Sequence, residues 1–343
     1  MSVRIAVIGA GVMGADHAAI VAGDLPGAEL QVVADADPDR ARDVAGRTGA
    51  RHALTDAEAA IARDDVDAVL IASPDATHEA LTLACLHAGK PVLCEKPLAP
   101  TSDACLRIVE AEVRIGRKLV QAGFMRRFDP GYAGLKQAER DGRIGRVLAM
   151  HNIHRNVASP DWFEGHMAIS NSASHEFDAI RFVLGTDYAA VTAFATERPG
   201  TAVAPVILVL ETLQGQVVTV EVNVDAAYGY DVRADLVGER GAVRLDPRPP
   251  LATDRDLSAS RPYAADWRPF FAEAYRLQNK AWLAAIVSGE PSPVASDAWD
   301  GYVAAAVAEA GVRSLTSRAR EPIALAERPP LYARGTAGRG GQA

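Results

Sequence analysis

The chain has 343 residues, 49% hydrophobic and 23% charged, with 36 Lys and Arg against 44 Asp and Glu for a net charge of -8. That length suits two packed domains, and that acidic balance argues against nucleic acid or an anionic membrane surface as a partner. Apolar runs fall short of the roughly 20 residues a membrane span requires, and the N-terminus leads into a strand-like run without the features of a signal peptide, which predicts a cytoplasmic protein.

In chain order, Arg4–Ile8 is a short apolar run ending at Gly9, the pattern of a buried parallel strand. A helix is expected from about Gly14 to Ala22, then a strand over Leu30–Ala34 closed by Asp35. Val66–Ala72 reads as a third strand, followed by Ser73-Pro74 and a helix from about His78 to Ala88. Pro91–Cys94 and Lys118–Gly123 give a fourth and a fifth strand, separated by another helix. Strands alternating with helices predict an N-terminal α/β domain with a doubly wound parallel sheet over residues 1–123. Beyond Phe124 the texture changes. Strands are expected at 146–154, 191–197, 204–213, 216–224, 230–238 and 242–245, with helices at 170–184, 271–288 and 297–315. This predicts an α+β domain over 124–330 with a large, mostly antiparallel open sheet. The tail, 331–343, carries Gly335, Gly338, Gly340 and Gly341 and is expected to be flexible. Cys85, Cys94 and Cys105 form no CxxC pair, so they read as buried free thiols.

Gly9-Ala10-Gly11-Val12-Met13-Gly14 matches GxGxxG, follows a strand, opens a helix, and has Asp35 at the end of the next strand. In that context the glycines permit a tight turn, close approach of a pyrophosphate and helix–strand packing, while the helix N-terminus offers N–H groups to phosphates. Asp35 would accept both ribose hydroxyls and repel a 2′-phosphate, so NAD is expected rather than NADP. Asp37, followed by Pro38, reads as the start of a turn.

Oxidation of an alcohol needs a base for the hydroxyl proton and a partner for the developing alkoxide. Lys96, in Glu95-Lys96-Pro97 just past the fourth strand, is placed where ligands bind in doubly wound sheets. Asn171, His175 and Asp178 would share a helix face, with Asn171 one turn from the imidazole. Along the strand ending His154-Arg155-Asn156, a period of two sends His154 and Asn156 to one face, able to bind adjacent hydroxyls, and His151 to the other. That alternation, without cysteines, argues against a metal site.

GxGxxG with Asp35, Glu95-Lys96-Pro97, the stretch Gly123–Pro130 and His175-Glu176-Phe177-Asp178 together resemble the Gfo/Idh/MocA oxidoreductases over about residues 3–320. Phe124–Asp129, His154–Asn156 and Tyr228–Asp231 are similar to the myo-inositol 2-dehydrogenase branch. The resemblance implies an N-terminal Rossmann domain, a C-terminal domain whose open sheet supports a homo-oligomer, a tetramer or dimer, and Lys96 and His175 catalytic on a small polyol or sugar. Arg126, His154, Asn156 and Tyr230 would line the polyol pocket, with Ser172 a further contact. Ser73, Pro74, His78, Glu95 and Pro97 would lie beside the cofactor, Pro97 through a cis bond. One departure stands out: the family has Asp one turn before the His, and this chain has Asn171. In the serine-protease triad the same exchange costs about four orders of magnitude in rate. The expected activity is interconversion of a cyclitol or sugar secondary alcohol and its ketone, with Asn171 orienting His175. The alternatives are action on an aminocyclitol or nucleotide-linked keto sugar, and a catalytically silent NAD-binding sensor or scaffold.

Overall fold

The computed structural model describes residues 2–196, 205–245 and 252–333. The first domain follows the order β1 (Val3–Ile8), α1 (Val12–Gly23), β2 (Ala28–Ala34), α2 (Pro38–Thr48), β3 (His52–Leu54), α3 (Ala57–Ala62), β4 (Ala68–Ile71), α4 (His78–His87), β5 (Val92–Glu95), α5 (Ser102–Ile115) and β6 (Val120–Gly123). The strands are parallel in the order β3-β2-β1-β4-β5-β6. The chain reverses direction across the sheet between β1 and β4, and the crevice at that point is where such sheets bind ligands. Strands β4 and β5 are buried at every position because helices cover both faces, which is why they read as unbroken apolar runs. The three cysteines are buried and free.

The second domain contains α6 (Pro130–Arg140), β7 (Val147–Arg155), α7 (Ser174–Leu184), β8 (Tyr188–Ala195), β9 (Val206–Thr212), β10 (Val217–Asn223), β11 (Asp231–Gly238) and β12 (Gly241–Leu245). A small hairpin, β13 (Thr253–Arg255) and β14 (Ser258–Ser260), precedes α8 (Arg268–Ser288), β15 (Ser296–Asp297), α9 (Ala298–Ser317) and β16 (Glu321–Pro322). The order β12-β11-β7-β10-β9-β8-β16 is antiparallel except for the β7–β10 pair. Its strands alternate buried and exposed positions, so one face rests on the helices and the other is open.

Six elements depart from the sequence reading. The short helices α2 and α3 and strand β3 carry weak apolar periodicity, and capping residues start the helices: Asp37 and Asp56 accept N–H bonds from their first turns. Asp37 therefore begins a helix with Pro38 in its first turn. Helix α6 begins the same way at Asp129-Pro130. The helix expected over 170–184 is two pieces, a π turn at Ala168–Ser172 and α7. Finally, β15, inside the segment assigned to the second domain, pairs antiparallel with β6 and extends the first sheet. Glu197 and Ala204, the outer ends of two expected strands, and 334–343 of the expected flexible tail lie outside the described residues. Among the described residues no helix is long and apolar enough to cross a membrane.

Candidate active site

The turn after β1 is shaped by its glycines. Gly9 has φ +94°, and a Cβ there would overlap the Ala72 carbonyl; a Cβ on Gly14 would overlap the carbonyl oxygen of Gly9. A Cβ on Gly11 would meet nothing within 4 Å, so this residue faces open space. Gly11 is also the N-cap of α1 and offers no side-chain cap, which leaves the first-turn N–H groups, beginning at Val12 and Met13, free for an anion. A cavity of about 980 Å³ opens beside them, bounded by Gly9, Gly11, Asp35, Ser73 and Pro74 among others. Asp35 Oδ2 accepts from Ala10 N at 2.7 Å and Oδ1 from Asp37 N at 2.9 Å, which fixes its carboxylate at the cavity wall. Each oxygen keeps a lone pair for a ribose hydroxyl. The open cradle, the uncapped helix and the fixed carboxylate fit NAD. Arg40, which sequence reasoning missed because α2 was not foreseen, lies 3.5 Å from Asp35 and lines the same cavity.

Two residues expected beside the cofactor have their side chains engaged within the protein. His78 is 1% exposed, with Nδ1 2.6 Å from the Pro97 carbonyl and Nε2 2.9 Å from the Ser73 carbonyl. It clamps the loops after β4 and β5 together. Burial pushes its pKa down, but the adjacent Cys94 and the two carbonyls outweigh that and raise it to about 10. Glu95 points its carboxylate at buried His17 (2.9 Å) and at the Lys96 N–H (3.2 Å), so it supports the loop. His17 continues to Asn279 of α8 at 2.9 Å, a connection between the domains that no motif announced. The Lys96-Pro97 bond is cis. Ser73 Oγ bonds Thr77 Oγ1 at 2.6 Å.

Lys96 leaves the end of β5 and reaches the π turn of the second domain, where Nζ donates to Asn171 Oδ1 at 3.1 Å. The π turn is closed by Ala173 N donating to the Ala168 carbonyl at 3.0 Å, a bond five residues back. That wider turn breaks the i,i+4 alignment expected of a uniform helix. Asn171 therefore does not hold His175; its Nδ2 donates to Asp75 Oδ2 at 3.2 Å instead. His175, at the start of α7, has a buried Nδ1 with no hydrogen-bond partner among the described residues and packs edge-on to Phe124 at 6.1 Å between centroids. Burial first, then the positive charge of Lys96 and Arg126, hold its pKa well below the usual imidazole value. The imidazole is therefore neutral at physiological pH, with a ring nitrogen able to accept a proton. Burial likewise lowers the pKa of Lys96, opposed chiefly by Asp75.

The remaining expected residues form a buried wall. His154 Nδ1 is 3.0 Å from Glu176 Oε2, and Glu176 also pairs with Arg126. Arg126 is 1% exposed and its charge is met by Glu176 inside the protein, while its Nε has no partner among the described residues. Tyr230 is buried, edge-on to His154 at 6.1 Å. His151 faces away from His154 and bonds Thr219 Oγ1 at 2.8 Å. Asn156 falls just past the end of β7, and its backbone extends the ladder by donating to the Asn223 carbonyl at 2.9 Å. Ser172 is buried in the π turn. Asp178 is fully buried and forms two-pronged bonds with Arg127, so it packs α7 in place and takes no part in the site. Asp75 and Glu176 were not singled out from the sequence; Asp75 had a signal, since it sits just past β4 as Lys96 sits just past β5.

Comparison with known proteins agrees with this geometry. Residues 3–124 match the family described as "Oxidoreductase family, NAD-binding Rossmann fold", and residues 132–244 match the "GFO/IDH/MocA C-terminal domain". The chain is 46% identical over 337 residues to inositol 2-dehydrogenase 2 of Saccharopolyspora erythraea, covering 97% of this chain and 99% of that one. It is 43% identical to inositol 2-dehydrogenase of Streptomyces avermitilis, covering 96% of each. Among solved structures, myo-inositol dehydrogenase from Lactobacillus casei in complex with NAD(H) and myo-inositol superposes with a TM-score of 0.92 at 30% identity, covering 97% of this chain and 100% of that one. With both halves matched in order and a relative this similar over its full length, the chain belongs to the Gfo/Idh/MocA family of NAD-binding oxidoreductases.

Proposed function

We propose that this protein is an NAD-dependent inositol 2-dehydrogenase, interconverting a secondary alcohol of a cyclitol and its ketone, with myo-inositol the first substrate to test. The observation that carries the reading is the bond from Lys96 Nζ to Asn171 Oδ1, which brings the end of β5 against the π turn that leads into His175. NAD, when bound, supplies the hydride acceptor. His175, kept neutral, takes the proton of the reacting hydroxyl. Lys96 has three N–H donors and uses one on Asn171, which leaves two for the substrate oxygen as negative charge develops. His154 and Tyr230, with Arg126 and Glu176 behind them, present a polar wall to the remaining hydroxyls, and Ser172 and Asn156 flank it. Asn171 orients Lys96 rather than His175.

An aminocyclitol or a nucleotide-linked keto sugar is less well supported. The three arginines that could meet an anionic substituent are all paired: Arg126 with Glu176, Arg127 with Asp178, and Arg155 with Glu221. A silent sensor has no need of a neutral His175 beside Lys96. The open face of the second sheet carries exposed Leu148, Phe194, Ile207 and Val217, apolar surface that suits a second copy of the chain and hence a homo-oligomer. Incubating purified protein with NAD and a panel of polyols, and following NADH absorbance, tests the reading. Turnover of inositols is expected; no turnover of any polyol, and none in the ketone-reducing direction, overturns it.

A further inference from the structure

Asn171 is uncharged, yet it holds the ammonium of Lys96. The structure holds a carboxylate beside the same amide. Asn171 Nδ2 donates to Asp75 Oδ2 at 3.2 Å while its Oδ1 accepts from Lys96 Nζ at 3.1 Å. The orientation of that amide is dictated by its partners: an ammonium can only donate and an ionised carboxylate can only accept. Asn171 is thus a polarised bridge, each end strengthened by the charge at the other.

We propose that Asp75, on the loop after β4, supplies this active site's negative charge in place of residue 171, acting on Lys96 through the Asn171 amide as a positioning residue. This rests on the dehydrogenase reading of the same site. Three carboxylates act on Lys96, from Asp75, Glu95 and Glu176, with Arg126 opposing them. Glu95 is taken up by His17, and Glu176 by Arg126 and His154. Among the described residues Asp75 makes no ion pair, and the one side-chain bond its carboxylate accepts comes from Asn171. Its charge is the uncommitted one. On the far side of Lys96, the nearby groups His175 and Arg126 are neutral and paired respectively, so neither replaces Asp75.

Asp at 171 would set two carboxylates about 3 Å apart, where both cannot stay ionised. Asn171 and Asp75 are therefore complementary.

Four proteins test this: wild type, Asp75→Asn, Asn171→Asp and the double exchange. Asp75→Asn is expected to lower kcat at least tenfold and move the alkaline limb of the kcat profile down by about one pH unit, because Lys96 loses the carboxylate that keeps it protonated. Asn171→Asp alone is expected to lose activity as well, and the double exchange to recover kcat to within about threefold of wild type with the original limb. The chain has five lysines, so the Cε resonance of Lys96 in protein carrying ε-13C-lysine is assignable through Lys96→Met and reports its titration without turnover. The same downward movement in Asp75→Asn, reversed in the double exchange, is expected there. A Lys96 titration and kcat profile unchanged in Asp75→Asn, or a double variant no better than Asp75→Asn, overturns the proposal. A wild type that turns over no polyol while the Lys96 resonance still responds to Asp75→Asn defeats the dehydrogenase reading and leaves this one standing.

Discussion

Asn171 shows how one amide redirects a site: by accepting from Lys96 and donating to Asp75, it leaves His175 without a partner at Nδ1 among the described residues. An imidazole so buried, beside a lysine and an arginine, resists protonation. The neutral form is the active base in alcohol oxidation, so the acid limb of kcat/KM is expected below pH 6.5, the ordinary imidazole value, with activity retained as pH falls to that point. His175→Ala should abolish this limb and lower kcat by about 10²- to 10⁴-fold, with NAD affinity by fluorescence titration nearly unchanged. Lys96→Met should give a loss of similar size, again read by turnover against NAD binding.

At the scale of elements, two buried contacts hold the loops and helices that carry these side chains. His78, at the start of α4, joins the carbonyls of Ser73 and Pro97 and is charged in the fold, its pKa raised to about 10 from an unfolded value near 6.5. Its contribution is therefore complete below about pH 6.5 and is lost as pH rises toward 10. His78→Ala should cost about 2 kcal/mol by urea titration at pH 6, and the gap to wild type should narrow as the pH is raised to 10. Asp178 of α7 lies between Arg127 and Ser296. Asp178→Ala removes one of the two carboxylates on buried Arg127, Asp300 keeping the other at 3.0 Å, and should cost about 1–3 kcal/mol by the same measurement. How much of this was legible varies by element. The glycine turn, Asp35, Lys96 and His175 were visible because each falls at a strand end or helix start that apolar runs reveal. Asn171 was placed on the right segment but given the wrong partner, since a π turn has no marker in residue periodicity. Glu176 and His17 owe their roles to contacts 22 and 78 residues away in the chain, which local pattern does not encode.

For the whole molecule, the open face of the second sheet sets the expected assembly. Its exposed apolar residues include the cross-strand pair Phe194 and Ile207. Phe194→Glu should shift the native mass by light scattering toward the monomer while leaving the circular dichroism of the fold intact. The nucleotide half, however, is not a separable piece of chain. Strand β15 closes the edge of β6, and Trp282 and Leu283 of α8 complete the apolar layer that holds Ala18 and Val21 of α1. A fragment cut after Gly123 would carry the whole fingerprint for dinucleotides yet show a bare strand edge and a hole beneath its first helix, so it should aggregate on expression rather than bind. Ribosomal synthesis must deliver residue 297 before the first half can be finished, which makes the last third of the polypeptide a folding partner of the first.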